Sequence, residues 1–238
     1  MQRSTNGTVV LLLGMGLSAA GCAGPRMVPP PDVTQGSEVL DVADRSLMTG
    51  ALANESFKLG SLAVSDVDRD WNKKSGFSVA GFSSATTTTG YSYKLKGPGI
   101  AWEGSCASSA DKKGVAVMGG SVDWGKTKLT CVCKQGSELA SVALNSGSPD
   151  SNASASAAGE LTIGDTKYKV SAVNDTDKSN LGSGAAGFRY DGADGAVGAV
   201  EVLRPGRVWL NARLPESEHL PLACVSAGLM LYQPPSDH

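Results

Sequence analysis

Histidine and charge are scarce in this chain, and each shortage excludes a class of function. The chain has two histidines, His219 and His238, and no Ser or Cys motif offers either of them a catalytic partner. We therefore predict a protein that is not an enzyme and that uses no cofactor and no metal. Its 21 basic residues against 23 acidic ones leave no positive excess for a nucleic-acid backbone, so no nucleic-acid partner is expected.

Charged residues make up only 18% of the chain, whereas 30 of its 238 residues are glycine. This composition favours many turns and few long surface helices. The hydrophobic content of 41% is enough for a packed core and excludes a wholly disordered chain. We expect a folded domain rich in turns.

Apolar runs long enough to span a bilayer are also missing. The apolar run Thr8–Leu17 is shorter than the roughly 20 residues that a transmembrane helix needs. Arg3 precedes this run, and the small residues Ala19, Ala20 and Gly21 follow it. That order is typical of a secretory signal peptide, which we place at residues 1–21.

The next residue is a cysteine, and Ala19-Ala20-Gly21-Cys22 resembles the lipobox of bacterial lipoproteins, with alanine where that motif most often has leucine. The resemblance implies that Cys22 is acylated and becomes the first residue of the mature chain. It also implies an outer-membrane location, facing the periplasm or the cell surface, because Ala23 replaces the aspartate that retains such proteins at the inner membrane. An ordinary signal peptide that happens to precede a cysteine is the alternative.

The segment after Cys22 differs from the rest of the chain in composition. Residues 22–36 contain four prolines, three of them consecutive, and this predicts a stiff extended tether. Val39, Leu40, Ala43 and Leu47 then fall at helical spacing, which predicts a short amphipathic helix within residues 37–52. We treat residues 53–238 as a single β-rich domain.

Short runs of β-branched and aromatic residues, separated by Gly, Asn, Asp, Ser or Pro, fill the chain from Phe57 to Leu214. This pattern is typical of an all-β domain with about twelve antiparallel strands, arranged as a closed barrel or a β-sandwich. The candidate strands are Lys58–Asp66, Phe77–Phe82, Tyr91–Lys96, Ile100–Ser105, Gly114–Met118, Lys126–Cys133, Glu138–Leu144, Gly159–Ile163, Lys167–Val173, Gly187–Tyr190, Ala196–Leu203 and Gly206–Arg213.

The last element is of a different kind. Pro221 suits the first turn of a helix, and Leu222–Tyr232 is apolar on every side of the cylinder before Pro234 and Pro235 end it. A helix without a polar face must be buried, and this one is too short to cross a membrane. The pattern predicts a helix over residues 221–232 that the sheet surrounds.

Four segments near the C-terminus carry a second resemblance. They are Gly187-Phe188-Arg189-Tyr190, Gly195–Val200, Gly206–Leu210 and the helix Leu220–Tyr232. A twelve-stranded barrel threaded by an apolar C-terminal helix is similar to the tubby-like, LURP-one and scramblase-related group. The resemblance implies the barrel fold only, because the basic residues with which that group binds lipid headgroups cannot be placed here.

Export to an oxidising compartment favours disulfides among the remaining cysteines, Cys106, Cys131, Cys133 and Cys224. Cys131 and Cys133 face the same side of one strand and cannot easily bridge each other, so two connectivities remain. In both, Cys106 pairs with one of these two across a hairpin, and Cys224 takes the other or stays a buried thiol. A metal site is the alternative, but a two-apart cysteine pair without a nearby histidine is not the usual zinc spacing.

Asp66, Asp68 and Asp70 form the one candidate cation site, because three carboxylates at alternate positions could bind a hard cation such as Ca²⁺. Trp71 and Phe77 occupy the places of the glycine and the distal glutamate of an EF-hand. A solvated strand end, with Arg69 offsetting the charge, is the favoured interpretation.

These observations predict an envelope-anchored bacterial lipoprotein that is a non-enzymatic structural or interaction module. Its partners would be the membrane, through the lipid on Cys22, and an envelope protein that the sequence does not identify. The alternative is binding of a lipid or another apolar ligand inside the β-domain.

Overall fold

A computed structural model describes residues 24–45, 55–70, 73–79, 82–117, 120–147, 156–178 and 184–233. The predicted signal peptide, Cys22 and His238 lie outside these residues. The elements are α1 (Pro31–Thr34), β1 (Ser37–Ala43), β2 (Phe57–Leu59), β3 (Leu62–Arg69), β4 (Lys73–Val79), β5 (Phe82–Gly97), β6 (Ile100–Val117), β7 (Gly120–Gln135), β8 (Glu138–Ser146), β9 (Ala158–Ile163), β10 (Thr166–Val173), β11 (Gly187–Gly192), β12 (Gly195–Glu201), β13 (Arg207–Asn211) and α2 (Glu216–Leu231).

Twelve of the strands close into an antiparallel barrel. From β5 to β13 each strand pairs with the next in the chain, β13 pairs with β1, and β1, β2 and β3 follow in order. The ring closes where β3 pairs with β5. β4 pairs with β5 outside the ring. The predicted fold class is therefore confirmed in its barrel form, and the β-sandwich alternative is wrong.

Helix α2 fills the barrel. Strand β5 shows the alternation that creates the interior, because Tyr91, Tyr93 and Leu95 are buried while Ser92 and Lys94 between them are exposed. Every residue of α2 from Pro221 to Leu231 is buried. The prediction of an apolar helix enclosed by sheet is confirmed.

The start of this helix differs from the prediction. Helix α2 begins at Glu216, after the N-cap residue Pro215, so Pro221 lies inside the helix and not in its first turn. Glu216 and Glu218 are in the first turn, where carboxylates favourably oppose the helix dipole. The apolar pattern predicted only the buried part of the helix, because the turn before it, Glu216–His219, consists of polar residues.

The amphipathic helix predicted within residues 37–52 is wrong over its described part, residues 37–45. Ser37–Ala43 forms strand β1, which lies between β13 and β2. Leu40 and Val42 face the core at a spacing of two, and Asp41 accepts a hydrogen bond from Arg207 of β13 at 2.8 Å. Pairing with two neighbouring strands overrides the weak local helical spacing.

The predicted stiff tether is wrong over residues 24–36, which we call the N-terminal strap. The strap packs on the outer wall of the barrel, where Met27 and Val33 are 4% and 1% exposed and form a small apolar cluster with Trp209. Arg26 forms an ion pair with the buried Glu201 at 2.6 Å. Asp32 pairs with Arg189 at the same distance. These partners are more than 150 residues away in sequence, so proline content alone could not reveal them.

Strands β5, β6 and β7 continue beyond the barrel wall. The barrel strand β3 pairs with β5 no further than Tyr91, and β8 pairs with β7 no further than Thr127. Residues 82–88 of β5, 109–117 of β6 and 120–126 of β7 therefore form, together with β4, a sheet that we call the arm. The arm leaves the barrel at the end where α2 terminates, because Tyr91 binds Gly228 and its strand partner Arg69 binds Leu231.

Candidate functional site

The barrel interior contains three tyrosines whose hydroxyl groups bind helix α2. Tyr91 donates to the carbonyl of Gly228 and Tyr93 to the carbonyl of Cys224, each at 2.8 Å. Tyr190 and the Ser226 hydroxyl are 2.9 Å apart. Burial raises the pKa of all three tyrosines, so they stay neutral donors at physiological pH. The helix is held by specific bonds as well as by apolar packing.

Two buried disulfides add to these bonds. Cys106 and Cys131 are directly opposite each other on β6 and β7, and Cys133 joins β7 to Cys224 of α2. This is one of the two connectivities that the sequence left open. The sulfurs therefore link strand to strand and strand to helix, and the metal alternative gains no support. In the described part of the chain no group of three or more His, Cys, Asp or Glu could hold a metal ion.

Two glycines let large groups meet inside the barrel. A Cβ on Gly228 of α2 would lie 2.6 Å from the Tyr93 hydroxyl and 3.0 Å from the Cys106 sulfur. A Cβ on Gly104 of β6 would lie 2.1 Å from Cζ of the Tyr93 ring. Neither glycine could be recognised from the sequence, because neither is at a turn and their neighbours come from other elements.

Little free space is left at the C-terminal end of α2. The cavity beside its C-terminal end, lined by Leu129, Leu144, Phe188 and Tyr232, has a volume of about 20 Å³. That is room for about one water molecule. An apolar ligand could enter this part of the barrel only if the helix moved.

Two arginines cover the end of α2. Arg45 donates to the carbonyls of Met230 and Val202, and Arg69 donates to the carbonyl of Leu231 at 3.0 Å. Burial, together with the nearby Arg204, lowers the pKa of Arg45 to about 10, so it is still charged at neutral pH. Positive charge at this position satisfies the last helix carbonyls and opposes the negative end of the helix dipole.

Arg69 also has an acidic partner, the carboxylate of Glu55, at 2.7 Å. Glu55 is only 3% exposed, so its charge is compensated within the protein. Arg69 therefore helps to close the end of the barrel by binding both Leu231 and Glu55. The predicted role of Arg69, offsetting the charge of the neighbouring aspartates, is not what these contacts show.

The three aspartates of the candidate cation site are exposed on β3 and just after it. The carboxylate of Asp66 accepts a hydrogen bond from Lys96 at 3.0 Å and lies 3.8 Å from Lys94, and the Lys96 bond lowers its pKa. Two lysines thus occupy the place that a cation would take. The contacts favour a solvated, ion-paired strand over a Ca²⁺ site.

A groove of about 340 Å³ runs along the outer wall beside Asp66. Lys94, Glu103 and Lys134 line it, and Lys134 pairs with Glu103 at 3.4 Å. Because positive and negative side chains compensate each other there, the groove does not favour a ligand of either charge.

Of the two histidines, only His219 is described. It lies in α2 between Glu218 and Leu220, and none of the four cysteines is free to act with it, since all are in disulfides. Neither of the described helices is both long and apolar enough to span a membrane.

Comparisons with protein-family models, with curated proteins and with solved structures find no match for this chain. No family is therefore shown. The resemblances to the lipobox and to the tubby-like group stay predictions, and the function has to be argued from the barrel itself.

Proposed function

We propose that the protein is a bacterial envelope lipoprotein, anchored through Cys22, whose barrel is a non-enzymatic structural or interaction module. The observation that supports this best is the filled interior. An apolar helix, three tyrosine hydroxyl bonds and two disulfides occupy the space in which a barrel enzyme or carrier would hold a small molecule.

The disulfides also support export. Disulfides form and persist outside the reducing cytosol, and both pairs here are buried at the centre of the domain. An oxidising compartment is where the signal peptide of the proposal would deliver the chain. The two lines of argument rest on different residues and point to the same compartment.

The position of the strap indicates that the connection between the barrel and the membrane is short. Arg26 is fixed to Glu201, and only three residues separate Arg26 from Cys22. A chain of that length spans at most about 14 Å. An acylated Cys22 would therefore keep the barrel close to the lipid surface, with the outer wall near β12 on the anchored side.

Metabolic labelling with a fatty-acid analogue tests the anchor. We expect label on the wild-type protein and none on Cys22→Ala, and we expect the wild type in the outer-membrane fraction. Ala23→Asp is the matched control, because it keeps the acylated cysteine and should move the labelled protein to the inner membrane. Label retained by Cys22→Ala, or absent from the wild type, would refute the proposal.

Carriage of an apolar ligand stays the second hypothesis. It requires α2 to leave the interior, against the Cys133–Cys224 disulfide. Native mass spectrometry of the purified protein distinguishes the two ideas, since a co-purifying lipid would favour carriage.

A further inference from the structure

The tip of the arm exposes apolar side chains that no other described element covers. Phe77 and Val79 of β4 are 60% and 65% exposed, the highest values among the large apolar residues described. Phe82, the first residue of β5, pairs with Val79 and lies 6.1 Å from Phe77 between ring centroids. In the next strand, Val115 is opposite Phe82. Four apolar residues thus occupy neighbouring positions on one face near the far end of the arm.

The arm also differs in charge from the rest of the protein. It has five lysines and two aspartates, a net charge of +3, whereas the whole chain has a net charge of −2. The charged residues are Lys73, Lys74, Lys112, Lys113, Lys126, Asp111 and Asp123. An apolar tip with basic residues behind it is complementary to a lipid surface that contains anionic headgroups.

The arm and the N-terminal end of the strap are at the same end of the barrel. Arg45 joins the end of α2 to the residue after Glu201, because it binds the carbonyls of both Met230 and Val202. Glu201 in turn binds Arg26 of the strap. The arm begins just beyond Tyr91 of the barrel, which binds Gly228 in the last turn of α2. The short chain segment that leads from the strap to Cys22 therefore begins at the end from which the arm projects.

We propose that the tip of the arm, formed by Phe77, Val79 and Phe82, is a second membrane contact that inserts at a lipid surface containing anionic headgroups. Its orientation relative to the membrane rests on the proposed function, because the acyl chains on Cys22 would bring this end of the barrel to the bilayer. The described part of the arm extends about 25 Å along its strands, whereas the segment between Arg26 and Cys22 spans at most about 14 Å. The arm is therefore long enough to reach the surface to which Cys22 would be anchored.

A second copy of the chain is the competing occupant of this surface. Among the described strands β4 pairs with β5 alone, so its other edge could pair with another β4. The lysine excess of the arm favours the lipid surface, because two copies would bring like charges together. The experiment has to separate the two.

Vesicle flotation of the mature chain, residues 22–238, with Cys22→Ser removes the acyl anchor from the measurement. We expect binding to vesicles of 30% phosphatidylglycerol in phosphatidylcholine to be at least about tenfold stronger than binding to pure phosphatidylcholine. Phe77→Ser combined with Val79→Ser should lower this binding at least about tenfold. Lys73→Glu combined with Lys113→Glu should remove the preference for anionic vesicles.

The matched control removes two other exposed apolar residues. Val39→Ser combined with Leu139→Ser changes side chains that are 45% and 52% exposed and lie outside the arm, so vesicle binding should be unchanged. All variants should keep the far-ultraviolet spectrum and melting temperature of the parent chain.

Three results would overturn the proposal. They are no binding of the parent chain to anionic vesicles, equal loss in the control variant, or a dimer in analytical ultracentrifugation that only the Phe77 and Val79 variant dissociates. Because the chain in this experiment has no acyl group, its outcome is independent of whether Cys22 is lipidated in cells.

Discussion

Substituting Gly104 by alanine tests whether Tyr93 occupies the interior as described. A Cβ at residue 104 would lie 2.1, 2.4 and 2.5 Å from three atoms of the Tyr93 ring. The ring has little freedom to move away, because its hydroxyl donates to the Cys224 carbonyl and lies 3.4 Å from the Cys133 sulfur. Either the ring or strand β6 must shift.

The expected cost follows from two opposing effects. Overpacking a dense core costs about 1–3 kcal/mol. Replacing glycine also restricts the unfolded chain, which stabilises the folded state by about 0.4–1 kcal/mol. We expect a net destabilisation of about 1–2 kcal/mol, and therefore a melting temperature lower by about 2–8 °C for a chain of this length.

Thermal unfolding followed by circular dichroism under oxidising conditions gives the measurement. Gly97→Ala on the neighbouring strand is the control, since its Cβ would meet only the end of the Leu62 side chain at 2.8 Å. In a Tyr93→Ala background the cost of Gly104→Ala should vanish, because the ring is gone. An unchanged melting temperature for Gly104→Ala in both backgrounds would show that the Tyr93 ring does not pack against Gly104. It would also contradict the position of α2 that the Tyr93 hydroxyl bond fixes.

Three further predictions concern the same interior. Removing the Cys133–Cys224 pair by double alanine substitution should lower the free energy of unfolding by about 4.6 kcal/mol, because this disulfide closes a loop of 91 residues. Removing Cys106–Cys131, which closes a loop of 25 residues, should lower it by about 3.5 kcal/mol. Urea unfolding that shows the reverse order would contradict this entropic estimate. Deleting residues 221–238 should yield an aggregating chain, whereas deleting 233–238 should leave the melting curve near that of the full chain; cooperative melting of the longer deletion would mean that α2 is not the core. Since burial raises the pKa of the interior tyrosines, and that of Tyr232 to about 12, the contribution of these tyrosines to stability should be constant below pH 10, where unfolded tyrosines are neutral, and should fall as the pH rises from about 10 towards 12; tyrosine absorbance at 295 nm that changes well before unfolding would contradict this.

A β-rich domain around a buried helix could be predicted because one local signal is clear, although the sequence left both a barrel and a sandwich open. Helix α2 is apolar on every side, and in a chain of strands such a helix needs a sheet around it. The predicted number of strands, twelve, equals the number in the barrel ring partly through errors that cancel, and the described part of the chain has thirteen strands in all. The predicted strand Lys58–Asp66 is the hairpin of β2 and β3, whereas the predicted strands Ile100–Ser105 and Gly114–Met118 are parts of the single strand β6.

The strap, the arm and the closed barrel end could not be predicted in the same way. The strap and the barrel end depend on partners far apart in the chain, such as Arg26 with Glu201 or Arg69 with Leu231. The arm consists of consecutive strands, and its extent depends on where the barrel strands β3 and β8 stop pairing with them. The disulfide pairing was narrowed to two choices by strand geometry alone. The register of β6 and β7 decides between them, because it places Cys106 opposite Cys131 and leaves Cys133 to pair with Cys224 of the threaded helix.

The mass of one peptide tests the proposed function most directly. Trypsin should release the N-terminus of the mature protein at Arg26, as the peptide Cys22–Arg26. We expect this peptide from protein purified out of the envelope, with acyl groups on Cys22 and no residue before it. A peptide that continues upstream of Cys22, or one that begins there without acyl groups, would contradict the lipid anchor.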